Sequence, residues 1–277
     1  MSARISRNAV TDQLLEDFIW KRYYDKSVAW LRTSISEDII SFNIGADTKI
    51  RKFVVGGNIG YNILDFGILS GYTLNLGIYG TYDLNDVVRM YANANLAMHS
   101  VTESINSAII GTSVSDLSTS DTTLDVGILH KIFAPYLTGR GYMTLGYQSG
   151  YKFTQKYKGM DFMDISADSQ MFLAPGYELA LGKDIWFSVG TFMRPSLRFG
   201  IEYDLLGGGA QNLQFKFSEV ARWRNWETGD SVPLWLRYGA QIDFSFIVGT
   251  NLSVGYEILK NGDFTANQIK LNGTYRF

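Results

Sequence analysis

The 277-residue sequence contains no cysteine, two histidines and four prolines, and its net charge is only −2. The absence of cysteine excludes disulfides and thiolate metal sites. Two histidines are too few for most metal sites, so no metal and no cofactor are expected. The slight acidic balance argues against a general nucleic-acid-binding protein, which should carry a basic surplus.

Long hydrophobic runs are also missing. Hydrophobic residues make up 46% of the chain, yet no apolar run approaches the roughly 20 residues of a membrane-spanning helix. The first ten residues lack the apolar core of a signal peptide. We therefore expect either a mature chain with an added initiator Met1 or, as we favour, the C-terminal part of a longer precursor.

The sequence is rich in glycine, with 28 residues, and in aromatic side chains, with 17 Tyr and 17 Phe. Enrichment in Tyr and Trp suits the aromatic girdles of membrane β-barrels. A soluble β-sandwich accounts for the composition about as well. Composition therefore leaves these two fold classes open.

The last twelve residues, 266–277, alternate strictly between apolar and polar side chains, which indicates a strand with two different faces. A chain that stops on such a strand with a final Phe resembles bacterial outer-membrane β-barrels. In those proteins the strand is similar to the signal read by the barrel-assembly machinery. The resemblance assigns this role to Tyr275 and Phe277.

Residues 6–26 contain no Gly or Pro and place Val10, Leu14 and Phe18 at helical spacing, which predicts one amphipathic helix. After residue 25 the period changes to two and stays there. Twelve strands are predicted, many of them apolar on one parity and long enough to cross a bilayer when tilted. They are 28–35, 39–48, 52–64, 68–82, 86–102, 121–133, 138–151, 169–181, 185–203, 233–246, 250–259 and 266–277.

Loop length sorts by strand parity. The connections after the even-numbered predicted strands are tight, whereas the long segments 103–120, 152–168 and 204–232 all follow odd-numbered strands. Outer-membrane barrels have short turns on one rim and longer loops on the other, and a sandwich has no reason to do so. We therefore predict an all-β fold, a 12-stranded antiparallel transmembrane up-and-down β-barrel with an N-terminal α-helix inside the pore.

A sheet in lipid must close, because an open edge would leave backbone groups unpaired in hydrocarbon. Its polar parity then faces a wet lumen of both charge signs, which would suit a threaded helix. The predicted pore-lining or helix-contacting residues are Arg32, Asp47, Arg89, Glu178, Arg194, Arg198, Glu202, Arg237, Asp243 and Glu257, with Lys270 and Arg276 on the same face.

This pattern resembles the translocator domain of type V autotransporters. Five local motifs of that family occur in the right order, and the resemblance covers essentially residues 6–277. They are Trp30-Leu-Arg32, Phe42-Asn-Ile-Gly45-Ala46-Asp47, Gly56–Tyr61, Pro175-Gly-Tyr-Glu178-Leu and Leu197-Arg198-Phe-Gly200-Ile-Glu-Tyr203.

The resemblance implies a protein of the bacterial outer membrane that exports an upstream passenger to the cell surface. Residues 1–26 would be a linker helix threading the lumen, and residues 27–277 the barrel. The implied partners are outer-membrane lipid, the barrel-assembly machinery and the chain's own passenger. No nucleic-acid partner is expected, and the protein is expected to be a monomer. An even strand count places Phe277 and the start of the first strand at one rim, so the helix must run back through the pore.

Two other functions stay open at this point. A porin would carry residues 6–26 as a periplasmic tail. A twelve-stranded outer-membrane phospholipase would use a Ser-His-Asn set, for which His99 and Ser100 are candidates, but its groups must face lipid. By parity His99 points into the lumen, and His130 points outward near the wrong rim.

The chain is not expected to be an enzyme. Some members of the family cut the passenger inside the barrel at an Asn-Asn pair activated by acids of the lumen. Here Asn8 is followed by Ala9, so a constellation of Asn8 with Asp47 or Glu178 is disfavoured. The loop 204–231 alternates and predicts a surface hairpin, for which a solvent-exposed role is favoured over a lid or passenger-contacting role.

Overall fold

The computed structural model describes residues 2–20, 27–67, 69–107, 111–157, 160–206, 212–217, 224–227, 232–246, 249–262 and 264–277. Within them the chain forms the helix α1, Ser2–Trp20, and seventeen strands. The strands are β1 Val28–Ile35, β2 Ile39–Ile50, β3 Phe53–Asp65, β4 Leu69–Asp83, β5 Val88–Ser107, β6 Gly111–Phe133, β7 Leu137–Gln148, β8 Tyr151–Tyr157, β9 Met160–Ala167, β10 Gln170–Gly182, β11 Ile185–Ser188, β12 Thr191–Tyr203, β13 Asn212–Phe217, β14 Arg224–Glu227, β15 Leu234–Ser245, β16 Thr250–Asn261 and β17 Phe264–Arg276.

Twelve of these strands form one closed antiparallel ring, in the order β1 to β7, β10, β12, β15, β16 and β17. The ring closes where β1 pairs with β17, from Val28 opposite Arg276 to Ile35 opposite Ile269. Closure leaves no strand edge unpaired around the ring, as lipid requires. The predicted 12-stranded barrel is therefore confirmed.

The outer surface of the barrel is apolar, because strands of the ring alternate between exposed hydrophobic and buried polar residues. In β2, for example, Ile44 is 60% exposed whereas the neighbouring Asn43 is 2% exposed. The same alternation holds along β3 and β17. An apolar exterior around a closed ring is the arrangement of a transmembrane barrel.

The two rims differ as the loop lengths predict. At the first, here called the short-turn rim, β2 joins β3 through residues 51–52 and β6 joins β7 through residues 134–136. At the opposite, long-loop rim, strands continue past the ring. The predicted loop 103–120 is wrong: β5 and β6 stay paired to Ser107 opposite Gly111. Most residues of this part are Ser, Thr, Asn, Asp or Glu, so it shows no continuous apolar parity although it is a regular hairpin.

Two further hairpins at the long-loop rim, β8–β9 and β13–β14, occupy the predicted loops 152–168 and 204–232. The surface hairpin predicted within 204–231 is present. β8 pairs with β6 at Ser113–Tyr157, and β13 pairs with β9 from Leu213 opposite Ala167. The three projections therefore form one continuous sheet above one side of the barrel.

The predicted ninth strand, 185–203, is wrong at its start. Residues 185–188 form β11, which folds back on β12 with Ile185 opposite Met193. A turn separates the two strands, and Gly190 in it has a φ of +80°, which a glycine adopts without strain. The connection after β10 is consequently a small hairpin rather than the predicted tight turn.

The helix α1 lies inside the barrel. Its Val10 and Phe18 are 0% exposed, and its side chains contact strands on opposite sides of the lumen, such as β5 and β15. Nineteen residues at about 1.5 Å each span roughly 28 Å, enough for the hydrocarbon core of a bilayer. Among the described residues, no helix has the combination of length and hydropathy that crossing a membrane demands.

Candidate functional site: the lumen and its helix

The helix carboxylate Asp12 is held by three cations of the barrel wall. Arg237 Nη2 donates to both of its oxygens at 2.7 Å, Lys270 Nζ donates to Oδ2 at 3.1 Å, and Arg198 Nη1 lies 3.0 Å from Oδ1. The Asp12 side chain is 3% exposed. A buried carboxylate needs such partners, because removing a charge from water costs several kcal/mol per ion.

One turn further along the helix, Glu16 binds a second set of wall residues. Arg32 of β1 makes a paired contact with both Glu16 oxygens. Arg198 donates to Oε1 at 3.1 Å and Gln241 donates to the same oxygen at 2.9 Å. Positions 12 and 16 share one face of a helix. We call the wall opposite that face, formed by Arg32, Arg198, Arg237, Gln241, Glu257 and Lys270, the charged wall.

Contacts near the two ends of α1 fix its direction in the pore. Arg7 donates to Glu202 at 2.6 Å and to Thr144 at 2.9 Å, in the half of the lumen towards the long-loop rim. Arg89, at the short-turn end of β5, donates to Asp17 at 2.6 Å. The helix therefore enters from the long-loop side and ends near the short-turn rim, where β1 begins.

The apolar residues of α1 pack into a small core inside the lumen. Val10, Leu14 and Phe18 cluster with Tyr79 and Leu129 of the wall, all buried. The guanidinium of Arg89 lies 5.4 Å from the centre of the Phe18 ring, a distance for cation–π attraction. The helix is thus held both by ion pairs and by burial of apolar area.

A hydrogen-bonded chain at the start of the barrel connects β1, β2 and β4. Trp30 Nε1 donates to the Tyr79 hydroxyl at 2.8 Å, and that hydroxyl donates to Asp47 at 2.8 Å. A Cβ at Gly45 would lie only 2.3 Å from the Trp30 ring. The glycine of the Gly45-Ala-Asp47 motif is therefore required by the large ring that lies over it.

Of the ten predicted lumen residues, five bond directly to α1 and the other five bond to residues of the barrel. Arg32, Arg89, Arg198, Glu202 and Arg237 bond to α1 directly. Asp47 is bonded to Tyr79. The bonds of Glu178, Arg194, Asp243 and Glu257 go to barrel residues: Glu178 to Arg140 and Arg237, Arg194 to Asp184 and Pro135, Asp243 to Gln241, and Glu257 to Arg237 and Lys270.

Sequence reasoning missed Arg140, which is 2% exposed and whose guanidinium lies 4.5 Å from the Tyr142 ring centre and 2.9 Å from Glu178. Tyr142 and Tyr91 also face inward, so the inner face is not uniformly polar and its parity is harder to recognise. The signal was the alternation of Thr138, Arg140 and Thr144 on one parity of β7.

The two histidines make separate contacts. His99 faces the lumen, with Nδ1 2.8 Å from the Thr73 hydroxyl and Nε2 2.9 Å from Asp121. Its partner set is thus not the Ser-His-Asn combination of the phospholipase hypothesis, and it does not face lipid. His130 lies on the outer surface, with Nε2 2.9 Å from the Tyr177 hydroxyl.

Asn8, the candidate cleavage residue, is buried in α1, and its carbonyl accepts a hydrogen bond from Thr11. Asp47 and Glu178 are bonded to Tyr79 and to arginines, respectively. At the other end of the chain, Tyr275 and Phe277 are 53% and 62% exposed on the outer surface at the short-turn rim.

Comparison with solved structures gives the same fold. The translocator domain of the autotransporter NalP from Neisseria meningitidis matches with a TM-score of 0.65 and 15% identity, over 100% of this chain and 98% of that one. The beta domain of the Bordetella autotransporter BrkA matches with a TM-score of 0.61 and 17% identity, over 91% and 98%. The toluene transporter TodX from Pseudomonas putida reaches 0.56 and 9% identity, over 91% and 88%.

No family model and no curated protein sequence matches the chain. At identities this low, the structural likeness establishes a shared β-barrel fold and nothing about activity. What the site can do therefore has to be argued from its own geometry. That geometry is a pore filled by a helix, which is held along its length by wall residues.

Proposed function

We propose that this chain is the outer-membrane translocator and anchor of an autotransporter, which exports an upstream passenger to the cell surface. Residues 1–26 act as the linker helix in the lumen, and residues 27–277 act as the barrel. The observation that carries the proposal is the direction of α1, whose Arg7 end lies towards the long-loop rim and whose Asp17 end lies at the short-turn rim.

This direction supports export because it determines the side of the membrane on which a polypeptide preceding the helix would lie. In outer-membrane barrels the short turns are periplasmic and the long loops are extracellular. A polypeptide that precedes α1 would then emerge on the extracellular side. The neighbours NalP and BrkA are named as parts of autotransporters, and we extend that role to this chain.

The lumen residues named from sequence are proposed to hold the helix after export, directly or through neighbours. Asp12 and Glu16 bind Arg32, Arg198 and Arg237 directly. Glu178 and Glu257 bind Arg237 from its other sides at 3.2 and 2.6 Å, so they position its guanidinium towards Asp12. This network keeps the passenger attached and the pore filled.

The proposed partners are outer-membrane lipid around the apolar exterior, the barrel-assembly machinery and the passenger. Tyr275 and Phe277, exposed on the terminal strand, are proposed as the signal for that machinery. The protein acts as a monomer, without nucleic acid and without a catalytic step of its own. A helix held by buried ion pairs also favours this function over an open porin.

The test is a fusion of a reporter passenger upstream of residue 1, behind a signal peptide, in a Gram-negative host. We expect the reporter to be digested by protease added to intact cells. A matched fusion lacking residues 264–277, which removes β17 and prevents ring closure, should leave the reporter protected. A reporter that stays in the periplasm with the intact barrel would refute the proposal.

A further inference from the structure

One side of the lumen differs from the charged wall. At the middle of β2 to β5 the inward positions carry small or uncharged residues only, and we call this surface the neutral wall. It consists of Ser41, Asn43, Gly45, Asn58, Gly60, Asn62, Thr73, Asn75, Gly77, Asn93, Asn95 and Ala97.

Four amides of the neutral wall have no hydrogen-bond partner among the described residues. Asn58, Asn75, Asn93 and Asn95 are at most 6% exposed, and neither Nδ2 nor Oδ1 of any of them is paired. Leaving a buried donor or acceptor without a hydrogen bond costs about 1–3 kcal/mol per group. These four amides therefore offer donors and acceptors to a polypeptide that enters the lumen.

Glycines keep these amides flat against the wall. A Cβ at Gly77 would lie 2.2 Å from Asn58 Oδ1 and 2.3 Å from Asn95 Oδ1, so both amides lie across the glycine between them. Gly60 has the same relation to Asn43, at 2.2 Å. The alternation of Asn and Gly across neighbouring strands gives a shallow surface with donors and acceptors spread over it.

The helix occupies the lumen without satisfying this surface. Its Cα atoms approach β2 to β5 within 8 Å, but its own backbone groups are engaged in helical hydrogen bonds. Its charged residues Asp12 and Glu16 bind the charged wall. At 100° per residue, Val10 and Leu14 lie on the opposite side of the helix, and such side chains offer no hydrogen bonds.

An extended polypeptide has the chemistry that the helix lacks. Each residue in an extended chain presents one free N–H and one free C=O, and each asparagine amide offers both a donor and an acceptor. Because the wall carries no charge, it does not select for the charges of the chain that slides along it. Its small side chains leave room close to the backbone.

We propose that the neutral wall is the track that binds the passenger's extended backbone while it crosses the lumen, and that the charged wall acts later by capturing the helix. This inference rests on the proposed function. The two walls thus separate transit, which needs weak sequence-independent contacts, from anchoring, which needs specific ion pairs.

The test uses the full chain with its reporter passenger and the triple variant Asn58→Leu, Asn75→Leu and Asn95→Leu. Leucine keeps the branching at the γ carbon and removes the amide. We expect the passenger to reach the surface about tenfold more slowly, as loss of one typical net hydrogen bond predicts. The melting temperature of the purified barrel should not fall, because no hydrogen bond within it is lost.

The matched control is Asn272→Leu, which removes an inward asparagine that is paired, with its side-chain amide 2.9 Å from Ser253 Oγ. This control should lower the melting temperature and leave the export rate unchanged. If the triple variant does not assemble, the single variant Asn75→Leu replaces it. We expect it to slow export about threefold, because one amide supplies only part of the hydrogen-bond energy lost in the triple variant.

Export at the wild-type rate in a correctly assembled Asn75→Leu or triple variant would overturn the inference. Slower export that merely follows a lower melting temperature would also overturn it, because it would assign these residues to stability. Failure of the wild-type fusion to display any reporter is a different result, which rejects the proposed function and the track with it.

Discussion

Arg237 Nη2 lies 2.7 Å from both carboxylate oxygens of Asp12, although 225 positions separate the two residues in the chain. One belongs to the helix and the other to the tenth strand of the ring. Arg237 also bonds to Glu257 at 2.6 Å and Glu178 at 3.2 Å. A single guanidinium therefore joins the helix to three elements of the barrel, which makes the pair the centre of the lumen network.

Removing the Asp12 charge should loosen the helix. Asp12→Asn leaves Arg198, Arg237 and Lys270 without their common carboxylate, and breaking a buried ion pair from one side costs about 3–5 kcal/mol. We expect a clearly lower melting temperature of the purified protein and more frequent channel openings in planar bilayers. The control Glu37→Gln changes an exposed residue and should alter neither measurement. An Asp12→Asn variant with unchanged melting temperature and unchanged channel openings would contradict the anchoring role.

The Arg7–Glu202 pair should be energetically coupled. Their charged atoms are 2.6 Å apart and both side chains are 4% exposed. In a double-mutant cycle with Arg7→Gln and Glu202→Gln, we expect a coupling of about 1–3 kcal/mol in the free energy of unfolding. Additive effects of the two substitutions would show that the contact does not hold the helix.

Deleting residues 1–26 should open the pore. With α1 removed, the lumen loses Phe18 and the other buried helix residues, and ions can pass along a wall of both charge signs. We expect low conductance for the whole chain and a large, stable rise for the truncated one in planar bilayers. Equal conductance of the two proteins would favour the porin hypothesis instead.

Changing Phe277 to Ser should impair assembly in cells without weakening the finished barrel. Phe277 is 62% exposed and its ring stacks only against Tyr275, at 6.2 Å, among the described residues. We expect less heat-modifiable barrel in outer membranes, but normal refolding from urea into detergent. Phe264→Ser, at the other end of the same strand, is the control, and equal loss in both variants would argue against a terminal signal.

The strands were predictable because lipid imposes one rule along the whole ring. A residue facing hydrocarbon must be apolar, and its neighbours must pair their backbone inside the sheet. The alternation in β17 expresses that rule directly. The rule ends where the chain leaves the membrane, as in the parts of β5 and β6 that extend beyond the ring at the long-loop rim. The period-two alternation therefore did not predict those extensions.

The sequence by itself determined the ring of twelve strands, the two unlike rims and the inward position of residues such as Arg198 and Glu202, since each depends on period-two alternation along one strand. Only the tertiary structure decided which inward residue meets which. Whether Arg237 binds Asp12 depends on the height and rotation of the helix in the lumen. Whether Glu178 binds Arg140 depends on the register of β10 against β7. No periodicity along one strand encodes these relationships, because each pair joins two different elements of the fold.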